Sequence, residues 1–550
     1  MKKSFISLIL TIVMLSGIFT TVNASQDISD PISYKDVAVA SVAVNSKADS
    51  LMAYSTDLEG NVYGPEDFCV DGKDSYIFNS NNDTIIKMVG GTVNNVIKLK
   101  DSKSIRIAAD AGILYVLDSD LSISTFGSKG DLISVTPNQA IGSEAIENFT
   151  VIDGFLYTTA VVDGSEITYK FAADENGISY NKVETIPGLI FDSNTYYNDK
   201  LLADEGFSMG HSCRLEITDI PSGKSFPIVL TSNYWNAGAQ LLNVDYDKQS
   251  VMIRLIEIAN NPDYTYTCEE TIRTVDFNGN LLAIRALDTQ KKYIVMPTKV
   301  FGSQVYVLNN KSARVDIQKL DAPLSNSIGK FTSRLANIVE PIMDRFDDQA
   351  NSLDPVVTRG LGPSISRATI MANALSYHLS FTWNVVADNV AAMTNYTKPR
   401  YFTAPSTVAC MPYCWGGWDT TSSFLSGIAS GSGSTRGRAG NINCPSSGWV
   451  GKTYGTDCSG YVSRCWALTA KESTNSLVNV STAISASALQ QGDLLNYAGS
   501  HSILFASVSS GNYTTYESTQ TSSYDKVANL IRSVASLAND YVPRKYLNVI

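Results

Sequence analysis

The stretch GTDCSGYVSRCW, residues 455–466, carries two cysteines seven positions apart, and only three histidines exist in the chain: His211, His378 and His501. A thiol becomes a nucleophile when a neighbour takes its proton, and imidazole is the usual partner because its pKa lies near neutrality. Asp457 stands where a helix N-cap would be, and Tyr461, Val462, Cys465 and Trp466 give an apolar face, so the segment reads as a turn followed by a helix. Cys458 then opens the helix, where free N–H groups favour a thiolate. Cys465 lies two turns further in as a buried, inert thiol. A helix end contributes roughly 0.3–1 kcal/mol, less than the ~1.4 kcal/mol of one pKa unit, so Cys458 needs a base.

The base is expected in LQQGDLLNYAGSHSILFASVSSGNYTTYESTQ, residues 489–520. Gly492-Asp493 makes a turn, Leu494–Tyr497 a short strand, and His501 opens the next strand. After a Gly511-Asn512 turn a third strand brings Glu517 back opposite the start of the His501 strand, where cross-strand side chains meet. Glu517 would hold the second imidazole nitrogen and complete a nucleophile, base and orienter.

Four features, YCWGG (413–417), DCSGYV (457–462), the GDLLNY turn (492–497) and a histidine opening the following strand, resemble the NlpC/P60 cysteine peptidases. The resemblance spans roughly Met411 to Ile550 and implies an α+β papain-like domain with Cys458 as nucleophile and His501 as base. By the same resemblance the third polar position falls near Glu517, Tyr413 lines the site, and Asp457 and Ser459 contact the amine end of a substrate. It implies peptidoglycan stem peptides as substrate, cleaved at amide bonds, with no cofactor and no metal. Two departures stand out: a glutamate in the third position, and a Gly/Ser-rich insertion between Gly417 and Asp457. The insertion reads as a lid with Arg436 and Arg438 meeting a carboxylate, or as a surface loop. An amidase or acyltransferase of the same superfamily, or a non-catalytic wall-binding or adhesion protein, are the rival readings.

These residues need a frame. A chain of 550 residues exceeds one core and should hold two or three domains. MKKSFISLILTIVMLSGIFTTVNA, residues 1–24, reads as a secretory signal peptide, which makes the mature protein secreted and associated with the cell wall, free of the membrane after cleavage. The net charge of −11 argues against nucleic acid as a partner. From Tyr401 onward nine Lys/Arg face seven Asp/Glu, a charge contrast that suggests a boundary near residue 400.

Between about 49 and 322, β-branched strands alternate with Asp/Asn/Gly turns, and Tyr76, Tyr115 and Tyr157 recur 39 and 42 residues apart, near the length of one four-stranded propeller blade. The pattern is similar to six- or seven-bladed propellers of the NHL/YVTN kind, and the unit is expected to take a cell-wall polymer or protein as ligand. Residues 325–400 switch to helical spacing, with Pro341 interrupting a first helix and Ser366 capping a second, and read as a helical connector. His378 reads as a packing histidine. The expected architecture is thus an N-terminal all-β propeller-like domain, a short helical connector, and the α+β domain over 401–550. Eight cysteines permit a Cys414–Cys444 bridge, and a zinc site from Cys410, Cys414, Cys444 and Cys458 has atypical spacing.

Overall fold

The structure, a computed structural model, describes residues 37–44, 51–52, 54–56, 62–99, 104–174, 177–287, 297–302, 304–310, 314–320, 331–338, 361–446, 448–521 and 524–550. The signal-peptide stretch and Pro341 lie outside these residues. No helix among them is long and apolar enough to cross a membrane.

The described residues between 37 and 320 form a β-propeller-like, all-β ring of six blades. The first three are meanders of four antiparallel strands, over 65–98, 104–136 and 146–187. Tyr76, Tyr115 and Tyr157 each sit on the second strand of their blade, and all three are buried. Blades four and five are fused. The 22-residue strand Lys224–Asp245 pairs through residues 224–231 with Gly210–Asp219 and through residues 235–245 with Ser250–Asn260, so one strand serves both. Blade six comprises Thr298–Phe301, Gln304–Asn310 and Arg314–Leu320, and takes its fourth strand from Val37–Ala43. The unit therefore begins ahead of residue 49, and Ser41 Oγ donates to Asp316 Oδ1 (2.7 Å) across that ladder.

The C-terminal region does not form the expected α+β papain-like domain behind a helical connector. Strand accounts for 53% and helix for 11% of the described residues. The region is organised on a six-stranded antiparallel sheet, Ser481–Ala483, Val542–Tyr546, Leu494–Tyr497, His501–Ser509, Asn512–Thr519 and Lys526–Ser533 in spatial order. Its helices are short: α1 (Arg367–Leu375), α2 (Thr421–Ala429), α3 (Cys458–Cys465) and the single turn α4 (Val534–Leu537). The physical reason lies in the sheet's two apolar faces. Leu494 and Leu504 pack into a core with Ile370 of α1 and Tyr461 and Trp466 near α3. Leu495, Ile503 and Phe505 point the other way and share a core with Ala237, Ile256, Ile258 and Tyr266 of the ring. A strand buried on both faces reads as a continuous apolar run, and here the ring, not a helical layer, covers the second face.

Residues 361–400 likewise pack into the module. Ser366 caps α1 by accepting from Thr369 N (3.1 Å), and Ile370 and Ala374 are fully buried against α3.

The ring and module meet backbone to backbone at the tip of the His501–Thr519 hairpin. Gly511 N donates to Ala237 O (2.9 Å). Beside it Gly238 has φ +133°, and a Cβ there would fall 2.3 Å from Gly511 N and 2.4 Å from Ser510 N. Backbone occupies that space, so Gly238→Val should unseat the tip at a cost of about 2–3 kcal/mol. Thermal unfolding and limited proteolysis across residues 505–515 check this; an unchanged melting point and digestion pattern would contradict such a tight seat.

Candidate active site

Helix α3 begins as its sequence suggests. Asp457 accepts from Gly460 N (2.7 Å) with an extended backbone, the geometry of an N-cap. Its other oxygen accepts from Gly416 N (3.0 Å) and pairs with Lys471 Nζ (2.7 Å), while Ser459 Oγ donates to Oδ1 (3.2 Å). Asp457 and Ser459 are therefore engaged with each other and with the helix start. Cys458 is the first helical residue and is 5% exposed.

Tyr413 is fully buried and forms a parallel bridge with Thr456, two residues ahead of the thiol. Ser518 Oγ donates to Thr456 O (2.7 Å), so the start of α3 is tied to the residue that follows Glu517. This bond draws the thiol toward the end of the sheet where the His501 strand begins.

His501 and Glu517 are both fully buried, with His501 Nε2 2.8 Å from Glu517 Oε2. The ladder pairs Leu504 with Tyr516 and Phe505 with Thr515, so Glu517 reaches His501 diagonally rather than from directly opposite. Arg532, on the next strand, grips the same carboxylate from Nε (2.9 Å) and Nη2 (2.6 Å), and Thr515 Oγ1 donates to Oε1 (3.0 Å). Burial alone would raise the Glu517 carboxyl; the Arg532 guanidinium and the His501 hydrogen bond more than offset it and hold the group well below the usual carboxylate range. An ionised carboxylate only accepts, so Nε2 carries the proton and Nδ1 is the nitrogen through which His501 would act as a base.

Burial pushes the Tyr541 phenol up to about 12; His501 and Arg532 pull it down, and Glu517 and Cys458 push it up. One side chain thus lies within electrostatic reach of all four. His501 and Glu517 are in direct contact, and a thiol brought to the other imidazole nitrogen would be equipped for acyl transfer: attack by sulfur on a carbonyl, proton delivery by the imidazole, orientation by the acid. Arg532 and Tyr541 were not singled out in the sequence. Neither has a motif spacing, and only the strand order brings them to Glu517.

The insertion is packed at α2 and Arg438 and exposed over residues 429–435. Its α2 buries Phe424 against Phe381 (5.8 Å) and Trp383 (5.0 Å). Arg438 is buried and donates from Nε to Ala391 O (2.6 Å), and Arg436 Nε donates to Ile428 O (2.9 Å). Both guanidiniums hold main-chain carbonyls. All eight cysteines are free thiols, so Cys414 and Cys444 are not bridged; Cys414 Sγ donates to Thr453 Oγ1 (3.3 Å) and Cys444 Sγ accepts from Gln520 Nε2 (3.8 Å). Burial holds Cys465 far above the ordinary thiol range.

His378 is buried, with Nε2 2.8 Å from Glu144 Oε2. With Cys410 these two form the one compact group of would-be metal ligands among the described residues. A cation already serves it. Lys526 Nζ lies 2.6 Å from Glu144 Oε1. Burial would raise the Glu144 carboxyl, but Lys526 and His378 bring it down to about 2, while burial pushes the Cys410 thiol up to about 12. The cluster is a charge-balanced tie between ring and module.

No family model matches the chain, and no curated protein matches it either. Among solved structures, BamB from Moraxella catarrhalis is similar at 10% identity and a TM-score of 0.27, covering 52% of this chain and 97% of that one. A DUF4221 family member from Bacteroides vulgatus gives 10% and 0.29, covering 52% and 98%. The β-propeller domain of Myceliophteria thermophila Cps50 (Swd1) gives 8% and 0.27, covering 47% and 96%.

Proposed function

We propose that the protein is a secreted cell-wall hydrolase that cleaves amide bonds of peptidoglycan stem peptides through Cys458, His501 and Glu517. The observation that carries this reading is the buried His501–Glu517 pair at 2.8 Å, locked by Arg532, beside a helix that opens on a cysteine. In this scheme the Cys458 sulfur attacks the amide carbonyl, His501 protonates the leaving amine, and water releases the acyl group from sulfur. The NlpC/P60 resemblance of the DCSGYV and GDLLNY segments supports the substrate class. The chemistry rests on the side chains and does not require a papain-like fold, since the same constellation recurs on unrelated frameworks. The ring would present a wall polymer or protein to this site from the surface left outside its contact with the module.

The test is digestion of purified muropeptides by the full-length protein, read as new free amines. Wild type should release them and Cys458→Ala should lose at least about four orders of magnitude in rate. No amine release by wild type would sink the substrate assignment, and activity on other amides would favour an amidase or acyltransferase.

A further inference from the structure

Three acids converge on the hairpin tip that joins ring and module. They come from three strands of two blades: Glu147 on Ile146–Ile152 and Glu166 on Ser165–Asp174 in blade three, and Asp199 on Thr195–Leu202 in blade four. Asp199 Oδ2 accepts from Ser510 N (3.0 Å) and Ala239 N (2.9 Å). Glu166 Oε1 accepts from Ser510 Oγ (3.1 Å), and Glu147 Oε1 accepts from Asn512 Nδ2 (2.9 Å). Glu147 is fully buried and in side-chain hydrogen-bond contact with Glu166, and Asp199 Oδ1 is a solvent-free atom with no hydrogen-bond partner.

Little positive charge balances them. Arg106 acts on Glu147 and lowers its carboxyl; its Nη1 donates to Ile105 O (2.8 Å) and its Nη2 to Ile146 O (3.2 Å), while its buried Nε has no hydrogen-bond partner. The other titratable groups in electrostatic contact with the acids are Tyr197, on the Asp199 strand, and Cys213, on Gly210–Asp219. From the module the facing residues are Ser509, Ser510, Gly511 and Asn512, none of them charged. Three carboxylates gathered at one junction, Glu147 fully buried and Glu166 and Asp199 half-buried, with Arg106 as the cation beside them, would repel one another and lose part of their hydration.

We propose that this junction is a proton-operated latch: the hairpin tip seats on the three acids in their neutral form and loosens as they ionise, so the module is tightest on the ring in mildly acidic medium. The inference stands apart from the proposed hydrolysis, although the same two strands carry His501 and Glu517 at their other end. Burial pushes Glu147 and Asp199 up to about 7 and Glu166 well above the usual carboxylate range, in the last case with Glu147 and Asp199 adding to the rise. With the tip released, the groups return to about 4. The seated form therefore binds more protons: its advantage is full below about pH 4 and is lost progressively up to about pH 7.

Hydrogen exchange of the full-length protein, followed on peptides covering residues 505–515 and corrected for intrinsic rates, reads the latch directly through the Ser510 and Gly511 amides. Protection should fall at least about tenfold between pH 5 and pH 8 in wild type, and should stay level in Glu147→Gln/Asp199→Asn. Constant protection in wild type, or an equal fall in the double variant, overturns the proposal. If the double variant does not fold, the radius of gyration of wild type over the same range decides: an increase with pH is expected, and a constant radius rejects the latch.

Discussion

His501→Ala should reduce amide hydrolysis by about four orders of magnitude while leaving the fold in place. General-base assistance contributes roughly 10²–10⁴-fold by itself, and here the base also decides whether sulfur is present as thiolate. The N-terminus of α3 is worth roughly 0.3–1 kcal/mol to an anion, less than one pKa unit, so without the imidazole Cys458 should behave as an ordinary thiol. Glu517 retains Arg532 as its ion partner in this variant, so no isolated charge is created. Two measurements check the claim: kcat/KM on muropeptides, and the rate of Cys458 labelling by iodoacetamide at pH 6 followed by mass spectrometry. Equal labelling rates in wild type and His501→Ala would show that the imidazole does not activate this sulfur.

Glu517→Ala should be among the most destabilising single substitutions in the module. It removes the acceptor of both Arg532 bonds and of His501, leaving a guanidinium in a site where its side chain is 17% exposed and its carboxylate partner was fully buried. Breaking one side of such a pair costs about 3–5 kcal/mol, whereas replacing both partners by apolar groups is often close to neutral. Glu517→Leu/Arg532→Met should accordingly recover most of the stability and none of the activity. The pH dependence follows from the same pair. The Glu517 carboxyl is held below its ordinary 4.5, so its contribution is complete above that value and is lost as pH falls through the lower folded pKa. Urea midpoints measured from pH 3 to pH 7 should fall with acid more steeply in wild type than in the double variant; parallel curves would remove Glu517 as the cause.

The parts of the molecule legible in the sequence are those fixed by local rules. Tyr76, Tyr115 and Tyr157 mark equivalent second strands because blades one to three are complete meanders with short turns. The repeat blurs afterwards for a structural reason: blades four and five share Lys224–Asp245, and blade six borrows Val37–Ala43, so neither has a full four-strand unit of its own. Glu517 was found from the Gly511-Asn512 turn and strand alternation, and the bulge between Phe505 and Ser507 sits on the turn side of the pair. Arg532 lies on the strand that follows Glu517 in a plain antiparallel meander, and no motif spacing marks it as a partner of the carboxylate. The C-terminal fold class is not legible in the motifs, because residues that position a cysteine and a histidine say nothing of what covers the far side of a sheet. The paired leucines Leu494-Leu495 and the Ile503-Leu504 step carried that information. Arg436 and Arg438 misled for a related reason, since a guanidinium that closes main-chain carbonyls has the same letter as one that meets a ligand.

The N-terminal strand of blade six gives the ring a mechanical weak point. Ser41 and Asp316, bonded across that ladder, are 275 positions apart in the chain, so the circle is fastened by a single seam between its earliest and latest strands. A tether pulling ahead of Val37 would load that seam first, and the other five blades would feel the force only after it had unzipped. Once it opened, Arg314–Leu320 would become an unpaired edge able to accept a strand from another chain, turning a closed wheel into a sticky arc.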